Sequence, residues 1–349
     1  MSSGTSSESA QAKLPGTDNS MNFSAAVPGD LVDFIKTCSK FIIAGHKEPD
    51  GDCVGSQLAL RSALLRMGKE AIVCSAGPFK KTEIKKYANR FVPVPQDASS
   101  SDTKVIIVDC SGRERTGDID DSLKAFPCAI IDHHAAVTHP LSTAQAPVFI
   151  DSNSPSCTLL IYKLITALGL ELTEEEAVLL FFGLCTDTGF FRHLTQKNDD
   201  VFDIAANMIR RGASPKHTFH SINGGKSLNS RILIGNILAR TEAHFNGKLL
   251  ISYETLSEFT TYGFEGRDSD SLNQILMSIH GAEAVVIIRQ ELADNCTVSL
   301  RSIDKVNVAK IAATFGGGGH KNAAGLTMKG DIQFVKQKIL ESFVNIFIH

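Results

Sequence analysis

Short apolar runs alternate with stretches of helical periodicity from about residue 30 onward. Leu60, Leu64 and Met67 recur at the spacing of one helix face, and Gly68 is a predicted C-cap for that helix. Short strands that are apolar throughout and alternate with helices are typical of a parallel sheet covered on both faces. The apolar runs predict four strands, at residues 41–45, 71–74, 105–108 and 129–131.

The chain changes character at residues 211–230, which are rich in Gly, Ser, Asn and Lys and therefore predict a linker. Helices are predicted before it at 157–168 and 174–184, and after it at 232–240, 308–315 and the C-terminus. Further strands are predicted at 248–253, 284–288, 296–301 and 324–328. We therefore expect an α/β protein with a parallel-sheet domain at residues 29–210, a linker and helix at 211–240, and a smaller mixed α/β domain at 241–349.

The composition fits two folded domains, because 43% of the 349 residues are hydrophobic and 21% are charged. Residues 1–28 are rich in Ser, Ala and Gly and lack the pattern of a secretory signal, so they predict a disordered tail. Met21 stays an alternative start. No apolar run approaches the roughly 18 residues of a membrane-spanning helix. Eight cysteines without a C-x-x-C pair indicate free, mostly buried thiols in a reducing compartment, and hence a cytoplasmic protein.

The formal net charge of -3 argues against a protein that binds long nucleic acid, because such binding rests largely on a basic excess. A local basic pocket for a short substrate stays compatible with this charge.

Polar residues follow the ends of several predicted elements, where ligands of parallel sheets bind. Carboxylates that converge on one edge repel each other unless cations neutralise them. Mixed carboxylate and imidazole ligands suit Mn²⁺ or a similar metal, and a pair of metals is a recurrent device of phosphoesterases. The residues of this group are His46, Asp50, Asp52, Asp109, His133 and Asp187. Each alone is more often a helix cap or a loop residue; their joint occurrence in this order favours a metal site.

At these residues the chain resembles a known family. HKEPDGD at 46–52, VDCS at 108–111, DHH at 132–134 and TDTGFFR at 186–192 look like the successive motifs of the DHH phosphoesterase superfamily. VSLRS at 298–302 and FGGGGHKNAAG at 315–325 are similar to the DHH-associated substrate-binding domain. The pairing looks most like the nanoRNase/pAp phosphatase branch, whose members degrade very short RNA and remove the 3′-phosphate from adenosine 3′,5′-bisphosphate.

The resemblance implies a role for each metal-site residue. His46 and Asp50 would bind one metal ion, Asp52 and His133 the other, and Asp109 and Asp187 would reach both. Asp132 would orient an imidazole, as metal-bound histidines commonly require, and His134 would face the scissile phosphate as a charge stabiliser or proton donor.

A glycine run is weak evidence alone, yet this one lies between a predicted helix and strand, where a plain linker is less plausible. Glycines let the backbone approach an anion closely, and arginine suits phosphate oxygens. The resemblance makes Arg301, Gly318, Gly319 and His320 substrate-binding residues, with Arg192 a further candidate or a surface ion-pair partner. The spacing between these residues and the metals would then limit substrate length.

Two positions depart from the family pattern. Glu48 stands before Pro-Asp, where the family often has Asn, and Val137 stands after the DHH motif, where Asn is also frequent. Both put fine substrate positioning in doubt, not metal binding.

Alternatives stay open within and outside the family. One is a phosphodiesterase that acts on cyclic or linear dinucleotides; another is a catalytically silent nucleotide-binding regulator, although all six ligand positions are kept. A homodimer is plausible for this class.

Overall fold

The computed structural model describes residues 26–96, 102–134, 146–303 and 305–347. By its contacts the chain divides into two compact units, residues 1–224 and 225–349. Nearly all of the predicted tail, residues 1–25, lies outside the described residues, as does Val137. The division falls inside the stretch 211–240 that was predicted as linker and helix.

The first unit is built on a five-stranded parallel sheet in which the first strand pairs with both the second and the third. The four predicted strands are confirmed. A fifth strand, of three residues, was missed because it is too short to show a pattern. The strands are β1 (Lys40–Ala44), β2 (Glu70–Cys74), β3 (Thr103–Val108), β4 (Cys128–Asp132) and β5 (Val148–Ile150), in the order β2-β1-β3-β4-β5.

Both faces of this sheet are buried because alternate strand residues point to opposite sides. Ile43 and Ile106 pack against helices on one face, while Ile42 and Ile107 pack on the other against residues such as Leu123. The helices of this unit are α1 (Gly29–Lys36), α2 (Gly51–Arg66), α3 (Thr82–Lys85), α4 (Asp120–Leu123), α5 (Cys157–Ala167), α6 (Glu174–Asp187), α7 (Asp200–Arg210) and α8 (Pro215–Asn223).

Helix α8 occupies much of the stretch 211–230 that its composition predicted as a linker. The Ser214 side chain accepts a hydrogen bond from the His217 amide, and Pro215 stands at the first helical turn. This N-cap and N1 combination starts a helix even where the following residues are poor helix formers.

The second unit carries a six-stranded mixed sheet in which only β7 and β8 are parallel. Apolar residues on one face form a core with the two C-terminal helices, and the other face packs on the helices that precede β8. The predicted mixed α/β class is confirmed. The elements are α9 (Leu228–Ala239), β6 (Glu242–His244), β7 (Leu249–Glu254), α10 (Leu256–Tyr262), α11 (Ser269–Met277), β8 (Ala284–Leu292), β9 (Asn295–Ser302), α12 (Val308–Thr314), β10 (Gly318–His320), β11 (Ala323–Lys329) and α13 (Ile332–Phe347).

Two further expectations concern membrane-spanning helices and the state of the cysteines. Within the described ranges, every helix is too short or too polar to cross a membrane. All eight cysteines are free and buried, as the sequence predicted.

Candidate metal centre

Three adjacent parallel strands bring the first group of site residues together. His46 follows β1, Asp109 follows β3, and His133 follows β4, so all three lie at the carboxyl edge of the sheet. The Nε2 atom of His46 lies 3.5 Å from Oδ2 of Asp109, and Nε2 of His133 lies 3.4 Å from Oδ1. The two oxygens of Asp109 thus face two different imidazoles, which is the arrangement expected of a carboxylate shared by two cations.

The backbone of Asp109 adopts a left-handed conformation, with φ at 60°. Such a conformation costs a non-glycine residue about 1–3 kcal/mol and persists only where the surroundings enforce it. Here the Asp109 amide donates to the carbonyl of Ile131 at 2.9 Å, and the side chain is only 2% exposed. The fold therefore holds this carboxylate between the imidazoles at an energetic cost.

Asp52 and Asp187 come from helices rather than from strand ends. Asp52 lies in the first turn of α2, and its carboxylate accepts hydrogen bonds from the amides of Cys157 at 2.6 Å and Thr158 at 2.9 Å, at the start of α5. Asp187 is the last residue of α6, and its Oδ2 lies 3.3 Å from Nε2 of His133. The carboxyl end of a helix carries partial negative charge, so a carboxylate there favours a nearby cation.

Glycines allow α2 and α6 to approach each other closely, which brings Asp52 and Asp187 to the same site. A Cβ atom on Gly55 would lie 2.6 Å from the carbonyl oxygen of Leu179. A Cβ atom on Gly183 would lie 3.0 Å from the Cα atom of Asp52. Both distances are shorter than ordinary contacts between carbon or oxygen atoms.

Asp50 combines the helix-capping role with a place at the edge of the metal site. Its Oδ1 accepts hydrogen bonds from the amides of Asp52 and Cys53, which caps α2. The same oxygen lies 3.9 Å from Nε2 of His46. Oδ2 takes no part in the cap.

The hydrogen bonds of the two imidazoles show which ring nitrogens face the carboxylates. Nδ1 of His133 lies 3.2 Å from the carbonyl of Ser154, and Nδ1 of His46 lies 2.9 Å from the carbonyl of Lys47. A carbonyl only accepts, so Nδ1 carries the proton in the neutral ring and Nε2 carries the lone pair. These lone pairs point at carboxylate oxygens, and Nε2 of His133 and Oδ1 of Asp109 are buried without hydrogen-bond partners. Lone pairs that converge in this way fit a metal ion between them.

In the absence of a cation, protons on the site residues offset the negative charge of the carboxylates. Burial works to lower the pKa of His133, but Asp109 and Asp52 outweigh it and raise that pKa to about 10. The pKa of His46 rises against burial to about 9, mainly through Asp109. Burial raises the pKa of Asp187 to about 6 and that of Asp52 well above its ordinary value. Burial works to raise the pKa of Asp109 too, yet the facing imidazoles hold it below its ordinary value.

Asp132 contacts the second histidine of the DHH motif, not the first. Nδ1 of His134 lies 2.8 Å from Oδ1 of the fully buried Asp132, and the His134 amide donates to the same oxygen. The imidazole of His133 is instead oriented by the Ser154 carbonyl. The imidazole that Asp132 contacts is therefore that of His134, whose side chain is 43% exposed.

Strand register brings together the predicted substrate-binding residues of the second unit. Arg301 on β9 pairs with Ala323 on β11, which in turn pairs with His320 on β10. Residues in register point to the same face of a sheet, so Arg301 and His320 flank the small side chain of Ala323. Gly319 has φ at 145°, and a Cβ atom there would lie 2.4 Å from the Ala323 carbonyl oxygen. The glycine run is thus partly an exposed edge strand, Gly318–His320.

Arg192 lies in the first unit, in the turn that follows Asp187. Its Nε donates to the carbonyl of Gly189 at 2.8 Å, and the residue is exposed. This hydrogen bond holds the arginine beside the TDTGFFR motif and leaves its terminal nitrogens available to a ligand or to solvent.

Sequence reasoning missed several participants. The Ser154 carbonyl and the amides of Cys157 and Thr158 have no side-chain signature that reveals their role. Cys53 lies with His46 and Asp109 in one group of potential ligands. Burial and the charge of Asp109 hold the pKa of the Cys53 thiol well above its ordinary value, so it stays neutral.

Glu48, the residue that departs from the family pattern, forms an ion pair with Lys80 at 2.6 Å. Lys80 therefore compensates the negative charge of Glu48, so that this charge does not act on the metal site alone.

The comparison with protein families matches both units. Residues 40–184 match the DHH family, N-terminal domain, and residues 246–347 match the DHHA1 domain.

Two curated proteins illustrate the sequence similarity. The bifunctional oligoribonuclease and PAP phosphatase NrnA of Thermus thermophilus is 30% identical over 305 residues, which cover 86% of this chain and 88% of that protein. The cyclic-di-AMP phosphodiesterase GdpP of Bacillus subtilis is 25% identical over 336 residues. That match covers 90% of this chain but 49% of GdpP, so the chain spans about half the length of this relative.

Two solved structures support the fold. An exopolyphosphatase-related protein from Bacteroides fragilis superimposes with a TM-score of 0.75 at 21% identity, covering 91% of this chain and 96% of that one. RecJ from Thermus thermophilus in complex with Mn²⁺ gives a TM-score of 0.53 at 15% identity, covering 94% of this chain and 56% of RecJ. The RecJ structure therefore holds Mn²⁺ on a similar fold.

Proposed function

The chain belongs to the DHH family of phosphoesterases, with an N-terminal DHH domain and a C-terminal DHHA1 domain. On this premise we propose that it hydrolyses RNA of a few nucleotides to nucleoside 5′-monophosphates, and adenosine 3′,5′-bisphosphate to AMP. The similarity to the oligoribonuclease and PAP phosphatase, over most of both chains, supports this substrate class. The domain limits of 29–210 and 241–349, a cytoplasmic location and a homodimer stay predictions.

The observation that carries the proposal is the buried cluster around Asp109, where lone pairs of His46 and His133 face carboxylates. We propose that this cluster holds two divalent cations, with Mn²⁺ the best match for mixed imidazole and carboxylate ligands. His46 and Asp50 would hold one cation, Asp52 and His133 the other, and Asp109 and Asp187 would contact both. When bound, such a pair activates water and stabilises charge on the attacking and leaving oxygens.

The protein's own groups then orient the substrate and move a proton. His134 is half-exposed and bonded through Nδ1 to Asp132, which leaves Nε2 free to contact a phosphate oxygen or the leaving group. The buried Asp132 fixes the direction of this ring, because its Oδ1 is bonded to both Nδ1 and the backbone amide of His134. Asp132 acts through His134 and does not itself meet the substrate.

The remainder of the nucleotide is proposed to contact the predicted substrate-binding residues. Arg301 and His320 flank Ala323 on one partly exposed sheet face, which offers two side chains suited to an anion. Gly318 and Gly319 allow a ligand to approach the backbone, and Arg192 provides a further cation beside the DHH domain motif. Arg301→Ala should raise KM for nucleotides more than it lowers kcat.

The experiment compares four substrates with the full chain and Mn²⁺: a 5′-phosphorylated RNA dinucleotide, adenosine 3′,5′-bisphosphate, a cyclic dinucleotide and a long RNA. We expect rapid release of mononucleotide from the linear dimer, release of phosphate from the bisphosphate, and slow cleavage of long RNA. Cleavage of the cyclic substrate alone would replace the proposal with a cyclic-dinucleotide phosphodiesterase. Tight binding without any product would favour a silent nucleotide-binding regulator.

A further inference from the structure

One lysine reaches the predicted metal site directly. Nζ of Lys81 lies 3.9 Å from Oδ2 of Asp50, the oxygen that takes no part in capping α2. Across residues 26–96, 102–134, 146–303 and 305–347, no other lysine or arginine lies within 4.0 Å of a carboxylate predicted to bind metal. The Lys81 side chain is 50% exposed, so it lies at the opening of the site and not beneath it.

The segment that carries Lys81 is attached to the metal-binding loop. The Glu48 amide donates to the carbonyl of Gly77 at 2.8 Å, and the Glu48 carboxylate pairs with Lys80 at 2.6 Å. Three residues after Lys81, the fully buried Ile84 packs into the core of the first unit. Its amide donates to the Lys81 carbonyl at 3.2 Å. The backbone of Lys81 is therefore held close to Asp50 from both sides.

The neighbouring lysine shows why Lys81 is the residue available to a substrate. Glu48 already binds the ammonium of Lys80 at hydrogen-bonding distance, whereas Lys81 and Asp50 are separated by 3.9 Å, too far for a hydrogen bond. A carboxylate whose charge is shared with a metal ion attracts an adjacent ammonium less strongly. The ammonium would then be free to bind another anion at the same place.

From this geometry we propose that Lys81 binds a non-bridging oxygen of the phosphate undergoing cleavage. The inference rests on the proposed phosphoesterase function and adds to it a cationic group that the DHH motifs do not include. A lysine supplies a compact, mobile positive charge with three donors, which suits a phosphate whose charge shifts during the reaction. Lys81 would thus be a substrate-binding residue supplied by the first unit.

The competing explanation is that Lys81 only neutralises Asp50. The two explanations predict different results for Lys81→Gln in a Mn²⁺ titration and in phosphate binding at saturating Mn²⁺. A neutralising lysine competes with the metal for Asp50, so its removal would strengthen Mn²⁺ binding and leave phosphate binding unchanged. A phosphate-binding lysine would weaken phosphate binding when it is removed, whatever its effect on the metal.

The test measures binding of inorganic phosphate to the full chain loaded with Mn²⁺, by calorimetry, beside a Mn²⁺ titration. Charge-assisted hydrogen bonds contribute enough for roughly a ten- to hundredfold effect, and partial exposure places Lys81 near the lower end. We expect Lys81→Gln to weaken phosphate binding about tenfold and to lower kcat/KM on the cleaved substrate by a similar factor. Lys81→Arg, which keeps the charge, should retain most of the phosphate affinity.

Lys85→Gln is the matched control, because it makes the same charge change on an exposed lysine four positions away. It should leave phosphate affinity within about twofold of the wild type. Unchanged phosphate affinity in Lys81→Gln would overturn the proposal, and so would an equal loss in both glutamine variants, which would indicate a general surface effect. Because phosphate binding is measured without turnover, failure of the wild type to cleave any nucleotide would refute the proposed function and leave this test intact.

Discussion

Replacing Gly183 by alanine tests whether the close approach of two helices sets the geometry of the metal centre. A Cβ atom at this position would lie 2.4 Å from Cγ2 of Thr158 and 3.0 Å from the Cα atom of Asp52. Ordinary carbon–carbon contacts are about 3.5–4.0 Å, so the alanine methyl lacks about 1 Å of space. One neighbour is the backbone of a predicted metal ligand, which limits how the overlap can be relieved.

The expected magnitudes follow from this overlap. Overpacking of a tight core costs about 1–3 kcal/mol of unfolding free energy, and we expect Gly183→Ala to lie within this range. A displacement of reacting groups by about 1 Å lowers catalysis about a hundredfold. The variant should therefore lose about two orders of magnitude in kcat/KM at saturating Mn²⁺, and its affinity for Mn²⁺ should fall as Asp52 moves. Urea unfolding, Mn²⁺ titration and the dinucleotide assay measure the three quantities.

Two further variants separate crowding from other effects. Thr158→Ser in the Gly183→Ala background removes Cγ2 but keeps the hydroxyl, which lies 2.9 Å from the hydroxyl of Ser156. This double variant should recover part of the lost activity. Gly235→Ala is the control, because its added methyl would meet no atom within 4 Å other than its chain neighbours and the nearby backbone of its own helix, and that helix should gain up to about 1 kcal/mol. Wild-type activity and metal affinity in Gly183→Ala would refute the reasoning.

The remaining predictions concern the cluster, the metal and one ion pair. Asp109→Asn keeps the side-chain shape but removes the charge that faces two imidazoles, so hydrolysis should fall about a hundredfold or more; near-normal turnover would remove Asp109 from the site. Mn²⁺ added to the metal-free protein should raise the thermal unfolding midpoint, because a ligand at about 100 times its Kd adds about 2.7 kcal/mol to the unfolding free energy. A chelator should reverse this shift, and Asp109→Asn should lose it. In the second unit, burial works to raise the pKa of Glu258, but Arg240 holds it at about 2. Because this folded pKa is lowered, the stabilisation is complete above the ordinary value of 4.5 and is lost as pH falls through about 2. Glu258→Gln should therefore be less stable than the wild type at pH 7, with a difference that shrinks toward pH 2; a constant difference in urea unfolding across this range would contradict the assignment.

The sequence by itself determined the elements whose signal is local. Alternation of apolar runs with helical periodicity located the four longer strands of the parallel sheet, since burial on both faces requires continuous apolar residues. The strand ends then identified His46, Asp109 and His133 as neighbours, because parallel strands bring their carboxyl ends to one edge. Elements of three residues, such as Val148–Ile150, carry too few positions to show a period and were missed.

Only the tertiary structure decided how these groups are held and which partners they use. The amides that bind Asp52 lie 105 and 106 residues away, and the carbonyl that orients His133 lies 21 residues away. No local pattern encodes such contacts, because main-chain groups are the same at every residue. The assignment of Asp132 to His134, the crowding around Gly183 and the approach of Lys81 to Asp50 likewise depend on how elements pack. Residue types therefore predicted the chemistry, and packing fixed the distances and tautomers through which that chemistry would operate.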